Sequence, residues 1–410
     1  MGKVGRVLAV LLLALVLPGT GAGAGVAAAP GAGQDAPRWS GSWETAPSGT
    51  TAAVPGAAVR NVVHLSVGGT AVRVRLSNRL GTEPLRLGAV TVALRRAAGP
   101  DAVPGTLRAV TFRGAATATV PAGRDTVSDR VPLAVPDAAD LLVTVYTPED
   151  DGRATYHATA LQTGYLAPEG AGHADDVSGS SYRKIIRSWY YVTGVDVLGD
   201  ATGSVVAFGD SLTDGTGSTP DANHRWPDRL AARLLGHGLG VLNAGISGNR
   251  LLRDGTGPSA LTRLDADALD RAGARVLVVF EGINDIKGLP PANDPAAYAD
   301  AYRTLVSRAH ARGIRVVGVT LTPFFGYAAY TDGREEVRQR VNTFIRTGGA
   351  FDAVADADAV VRDPARPNRI LPAYDPGDHL HFDDAGMAAV AETVRRALDG
   401  PESRGPAGEG

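Results

Sequence analysis

The amino-acid sequence predicts an all-β sandwich or jelly roll followed by an α/β region built on a parallel sheet with helices on both faces. Three observations carry this expectation. Residues 39–198 alternate apolar and polar side chains with period two, between turns rich in Gly, Pro and Asp. From Ser204 onward, short apolar runs alternate with helical stretches, the pattern of βα units. The 52 Gly and 26 Pro among 410 residues supply the turns that so many short elements need.

The chain begins with a basic stretch at Lys3 and Arg6, an apolar run from Val7 to Leu17, and small residues that offer A-x-A type cleavage sites. Residues 1–29 therefore read as a secretory signal peptide. The apolar run falls well short of the roughly 20 residues that cross a bilayer, and no other segment is apolar enough to do so. A secreted protein without an integral membrane segment after signal cleavage is the expectation. Residues 30–38 read as a flexible leader and 400–410 as a disordered tail. The chain contains no cysteine, which excludes disulfide frameworks, thiolate metal sites and cysteine nucleophiles. With 41 Lys and Arg against 43 Asp and Glu, a net charge of -2 provides no electrostatic footprint for nucleic acid.

In the first half, Val63, Leu65 and Val67 alternate with His64 and Ser66, and Val72, Val74 and Leu76 alternate with Arg73 and Arg75. An antiparallel hairpin turning near Gly68-Gly69 is expected there. Further strands are expected over residues 85–94, 107–112, 116–120, 130–135, 141–146 and 189–197. In the second half, the apolar runs SVVAFG, GVLNAG, RVLVVFEG and RVVGVTLTP predict strands. Helices are expected at WPDRLAARLLG and over residues 260–272, 295–311, 335–346 and 385–398. Parallel sheets bind ligands at the carboxyl ends of their strands, so the residues that follow each strand are the candidate site.

Ser211 follows the first of these strands on a tight Gly209-Asp210 turn, either as an exposed hydroxyl or as a helix-capping serine. After the second strand, Gly245 and Gly248 allow backbone N–H groups to approach a ligand. Asn284 follows the third strand as an amide donor, and the loop before the last helix carries Asp378 and His381. A carboxylate three residues before a histidine can orient its imidazole. Asp375 and His379 offer a second pair with similar spacing. Asp210 and Asp214, which flank the serine, read as turn and helix-start carboxylates rather than metal ligands.

These four blocks, FGDSLTDG, NAGISGN, EGINDI and DHLH, occur in an order that resembles the SGNH, or GDSL, hydrolase family. The resemblance covers residues 204–399 and implies a flavodoxin-like three-layer α/β/α hydrolase domain, with the β-rich domain at 39–198 before it. It assigns Ser211 as nucleophile, Asp378 and His381 as the rest of the triad, and Ser211, Gly248 and Asn284 as oxyanion-hole donors. Phe382-Asp383-Asp384 stands after His381 where the family often has a proline and a polar residue. The β-rich half, marked by WSGSWETA, VVHLSVGG and WYYVTGVDV, is similar to extensions on some secreted GDSL hydrolases, and that similarity assigns no functional residues.

A serine hydroxyl needs a base within hydrogen-bond reach, and the base needs a partner that holds its tautomer. Charge that develops on the carbonyl oxygen needs preorganised donors. The expected activity is therefore hydrolysis of carboxylic esters through an acyl-enzyme, without metal or organic cofactor. The imidazole must be neutral to act as base, so kcat/KM is expected to rise with pH across the imidazole range. No G-x-S-x-G elbow occurs, which argues against the α/β-hydrolase arrangement. The substrate is an ester of a lipid, an aryl alcohol or an acylated carbohydrate. Carbohydrate deacetylation and acyl transfer are alternatives on the same residues, and a non-catalytic glycan- or surface-binding protein is an alternative of a different class. Phe324, Phe325 and Tyr327 follow the fourth strand and either line a substrate pocket or pack beneath their loop.

Overall fold

The computed structural model describes residues 38–400, together with Gly2. The signal peptide expected at 1–29, most of the leader and the tail beyond Gly400 lie outside the described residues. Residues 38–400 belong to one compact unit.

Two antiparallel sheets dominate the first half. One holds four strands in the order Arg38–Glu44, Val192–Gly199, Ala71–Asn78 and Arg124–Val127. The other holds six, in the order Lys184–Ile186, Gly164–Ala167, Ala58–His64, Asp140–Tyr146, Ala89–Leu94 and Arg108–Ala109. Alternate side chains from both sheets meet in one apolar core: Val63, Val92 and Val143 from the second, and Val72, Val74 and Val195 from the first. A small third sheet joins Trp189–Tyr190, Ala154–His157 and Gly49–Thr51.

The expected hairpin across Gly68-Gly69 does not form. Its two arms, Ala58–His64 and Ala71–Asn78, belong to different sheets, and the chain crosses between them at these glycines. The reason lies in the pattern itself: the apolar residues of both arms need the same core, which facing sheets satisfy as well as a paired hairpin does. A Cβ on Gly68 would lie 2.4 Å from the Val135 carbonyl oxygen, so the crossing runs tight against the next segment. The run 85–94 breaks at Gly88 into Leu85–Leu87, paired with Ala118–Val120, and Ala89–Leu94. Within 130–135 only isolated bridges occur, from Val131 to Val72 and from Val135 to Gly69.

The second half holds a five-stranded parallel sheet in the order Leu239–Gly245, Gly203–Gly209, Ala274–Phe280, Arg315–Val319 and Ala353–Ala355. The last of these is three residues long and has no counterpart in the apolar pattern. Helices Trp226–Arg233, Ala357–Val361 and Asp384–Leu398 pack as one group, and Ala260–Leu264, Pro295–His310 and Asp332–Thr347 as another. Each long helix starts where a side chain can cap it: Asp294 accepts from the Ala296 N–H at 3.0 Å, and Asp383 from Ala385 and Gly386 at 3.0 and 2.9 Å. The stretch expected to be one helix over 260–272 changes to a π-helical turn at Asp265–Leu269.

The two halves interlock through buried polar contacts. The Gly41 N–H donates to the Ala272 carbonyl at 2.8 Å, the Ser204 hydroxyl to the Gly41 carbonyl at 3.0 Å, and the Val241 N–H to the Ser66 hydroxyl at 2.9 Å. Arg79 reaches Asp267 at 2.6 Å, where Arg263 and Arg271 also converge.

Candidate active site

The first parallel strand ends at Gly209, where a Cβ would lie 2.3 Å from the Phe280 carbonyl oxygen and 2.4 Å from Thr213 Oγ1. Only glycine lets the chain turn there into the short helix Ser211–Asp214. Asp210 caps that helix, with Oδ1 accepting from the Leu212 N–H at 3.0 Å. The cap is thus the aspartate, and the Ser211 hydroxyl is left for another partner.

That partner is His381, whose Nε2 lies 2.8 Å from Ser211 Oγ. Its Nδ1 lies 2.5 Å from Asp378 Oδ2. Asp378 Oδ1 accepts two backbone N–H groups, from Leu380 at 3.0 Å and His381 at 2.9 Å. Partial burial pulls the Asp378 pKa upward, but the imidazole and these N–H donors hold it below the ordinary carboxylate value. Asp375 and His379 form a second pair of the same design, with Nδ1 2.6 Å from Oδ2. This pair points elsewhere: the His379 ring lies against Gly326, and His381 is the imidazole that meets Ser211.

Gly248 sits in a left-handed turn at φ +83°, and among the described residues neither its N–H nor that of Ser211 has an acceptor. The Asn284 amide nitrogen donates to the Asn249 carbonyl at 2.8 Å and to Asp210 Oδ2 at 3.1 Å. The four sequence blocks therefore converge on one place. Burial pushes the Asp210 pKa up to about 7. Glu281 is also buried and displaced upward, chiefly by burial and then by Asp210 beside it.

Two fixtures of this site have no role that the sequence pattern assigns, although Asp285 stands within the EGINDI block. Arg263 is buried, and its guanidinium donates to Asn249 Oδ1 at 2.9 Å, the Ala244 carbonyl at 2.7 Å and the Gly209 carbonyl at 2.9 Å. It thereby ties together the ends of the first two parallel strands. Asp285 accepts from the Leu251 and Leu252 N–H groups at 2.7 and 3.0 Å and holds the loop that carries Asn249. Asp214 is also occupied: Oδ2 accepts from the Ser247 N–H at 2.9 Å and its hydroxyl at 2.6 Å, and Oδ1 faces His157 of the β-rich half at 3.0 Å.

The aromatic loop divides its roles. Phe324 is fully buried in the α/β core, where it stacks edge-on with Tyr330, so it offers no surface to a ligand. Its assignment to a substrate pocket is corrected accordingly. Phe325 is 40% exposed, and Tyr327 lies under Lys287 Nζ at 5.1 Å. Leu289, 79% exposed, follows two residues after Lys287. Among the described residues, no three His, Asp or Glu side chains converge as a metal site.

A model of the GDSL-like lipase/acylhydrolase family matches residues 207–389. No curated protein matches the chain. Among solved structures, an aryl esterase from M. smegmatis is 19% identical over 48% of this chain and 98% of its own, with a TM-score of 0.39. A carbohydrate acetylesterase from Sinorhizobium meliloti is 19% identical over the same shares, at 0.38. A GDSL-like lipase from Bacteroides thetaiotaomicron is 16% identical over 48% of this chain and 87% of its own, at 0.36.

Proposed function

The chain belongs, through residues 207–389, to the GDSL-like lipase/acylhydrolase family, and from that premise we propose that it is a secreted serine esterase acting on carboxylic esters. The observation that carries the reading is the line Ser211 Oγ, His381 Nε2, His381 Nδ1, Asp378 Oδ2, with contacts of 2.8 and 2.5 Å. Secretion is supported by the basic, apolar and small-residue succession at the amino terminus. In this reading residues 39–198 form a β-sandwich domain attached to a catalytic domain at 204–399.

Ser211 Oγ attacks the ester carbonyl carbon as His381 Nε2 takes its proton, and the carbonyl π-electrons move to oxygen. The N–H groups of Ser211 and Gly248 receive the oxyanion. Asn284 joins them by leaving its longer contact, the 3.1 Å one to Asp210. Collapse of the intermediate breaks the bond to the alcohol, which leaves with the proton from His381. Water then attacks the acyl-enzyme, giving its proton to His381, and the acid leaves as Ser211 is regenerated.

The exposed Phe325 and Leu289, with the half-buried Tyr327, favour an apolar acyl or aryl group. The test is hydrolysis of p-nitrophenyl esters from acetyl to palmitoyl, and of acetylated xylan, by wild type and Ser211→Ala. Serine-dependent release of p-nitrophenol is the expected result, and its chain-length profile selects between short-acyl, sugar and lipid esters. A folded wild type that hydrolyses no member of the panel would overturn the reading.

A further inference from the structure

We infer that the β-rich half completes the active site: His157 is a positioning residue that holds, through Asp214, the Ser247-Gly248 turn that receives the oxyanion. The inference rests on the esterase reading above and deepens it.

His157 ends the strand Ala154–His157, and its side chain is 2% exposed, that of Asp214 4%. Nδ1 lies 2.7 Å from the Ala46 carbonyl oxygen, which can only accept, so Nδ1 carries a proton. Nε2 lies 3.0 Å from Asp214 Oδ1. The other Asp214 oxygen already accepts two hydrogens from Ser247, at 2.9 and 2.6 Å, the arrangement of an ionised carboxylate. Both ring nitrogens therefore donate, and the pair is an imidazolium on a carboxylate.

The surroundings agree with that assignment. Burial works against a charged His157, and Arg225 opposes it as well, yet Asp214 and the Ala46 carbonyl raise its pKa above the ordinary value. Burial likewise works against Asp214, yet His157 and Ser247 hold its pKa down. The uncharged Trp189 ring lies 5.6 Å from the imidazole and 5.1 Å beneath the Arg225 guanidinium.

Asp214 is the last residue of the short helix that Ser211 begins, and Ser247 immediately precedes Gly248. One carboxylate thus ties the nucleophile's helix to the oxyanion turn, and a buried cation from the β-rich half fixes that carboxylate. Without the cation, Asp214 is a buried charge with no ion-pair partner in contact and only the longer-range attraction of Arg225, and it either protonates or draws in water. In both cases its grip on Ser247 weakens. Donors of an oxyanion hole lose most of their value when displaced by about 1 Å.

The test uses the full chain as wild type, His157→Gln and Ser247→Ala. It measures kcat and KM on a p-nitrophenyl ester from pH 5 to 10, and the rate at which a fluorophosphonate labels Ser211. His157→Gln is expected to lower kcat and the labelling rate together, by about tenfold or more, with KM within about threefold. A folded-state pKa raised above the unfolded one means the imidazolium's hold is complete below the ordinary histidine value and is lost as pH rises through the raised one. The wild type is therefore expected to lose kcat on the alkaline side through a step that His157→Gln lacks. Ser247→Ala, which keeps the backbone arm of the contact, is expected to lose kcat several-fold.

Wild-type kcat and an unchanged pH profile in His157→Gln would overturn the inference. Should that variant fail to fold, wild-type kcat and labelling in Ser247→Ala would overturn it instead. A wild type whose Ser211 resists the fluorophosphonate would overturn the esterase reading itself, which separates the two failures.

Discussion

Replacing Asp378 by Asn tests the orientation of the base more sharply than deleting it. Asp378 Oδ1 accepts two backbone N–H groups, from Leu380 and His381, and of the two asparagine side-chain ends only the carbonyl oxygen can take that place. The new NH2 must then face His381 Nδ1, at the position where Oδ2 now lies 2.5 Å away. A donor there forces Nδ1 to accept, which moves the ring proton to Nε2. Nε2 lies 2.8 Å from Ser211 Oγ, so the base would present an N–H to the hydroxyl whose proton it should take. The same inversion of tautomer in a serine protease triad costs about 10⁴ in kcat, which at about 1.4 kcal/mol per tenfold is about 5.5 kcal/mol of transition-state stabilisation. Initial rates on a p-nitrophenyl ester at pH 7.5, with circular dichroism to establish folding, provide the measurement. Asp375→Asn makes the matching change on the pair that does not reach Ser211 and is expected to stay within about threefold of wild type. A folded Asp378→Asn enzyme that keeps more than a tenth of wild-type kcat would refute the reasoning.

Asn284→Ala is expected to cost about 100- to 1000-fold in kcat by removing one oxyanion donor, and steady-state rates on a correctly folded variant check it. Phe324→Ala empties a fully buried core position and is expected to cost about 3 to 5 kcal/mol of stability, whereas Phe325→Ala, at a 40% exposed site, is expected to alter acyl-length preference and leave the melting temperature almost unchanged. Melting curves and the ester panel separate these outcomes. Asp214, Asp267 and Asp378 all have lowered pKa values, so their contribution to stability is complete above the unfolded carboxylate value and is lost as pH falls through the folded one. His157 acts in the opposite sense, losing its contribution as pH rises through its raised value. The melting temperature is therefore expected to fall below about pH 4 and again above neutrality, and Asp214→Asn should flatten both slopes. An acid slope unchanged in that variant would remove Asp214 from the account.

Much of the candidate site was legible because acyl transfer demands particular side chains near the ends of parallel strands, and the strands are short enough to read from their apolar runs. Ser211, Gly248 and Asn284 each stand within a few residues of such an end, whereas Asp378 and His381 lie far beyond the last parallel strand, in the loop before the last helix, and are legible from their own spacing. His157 could not be read in the same way. It ends a four-residue strand, and its partner Asp214 lies far along the chain, so no local spacing links them. Arg263 has the helical position of an ordinary surface arginine, and only the third dimension turns its guanidinium toward three buried acceptors. Phe324 and Phe325 are indistinguishable in type, and the loop geometry alone sends one inward and the other outward. The false hairpin at Gly68-Gly69 has a related cause. Alternation reports which face of a strand is buried, and it is silent on whether the next strand lies beside it or across the core from it.

The strand Leu239–Gly245 forms one margin of the parallel sheet, and margins of sheets recruit other chains when left open. Here the margin is occupied: the Val241 N–H is spent on the Ser66 hydroxyl, and a Cβ on Gly240 would lie 2.0 Å from the Gly41 carbonyl oxygen. The amino-terminal strand thus serves the sheet as a sealed border. An α/β half expressed from residue 203 onward would carry an open edge and an uncovered Leu242, and it would be expected to stick to its own copies.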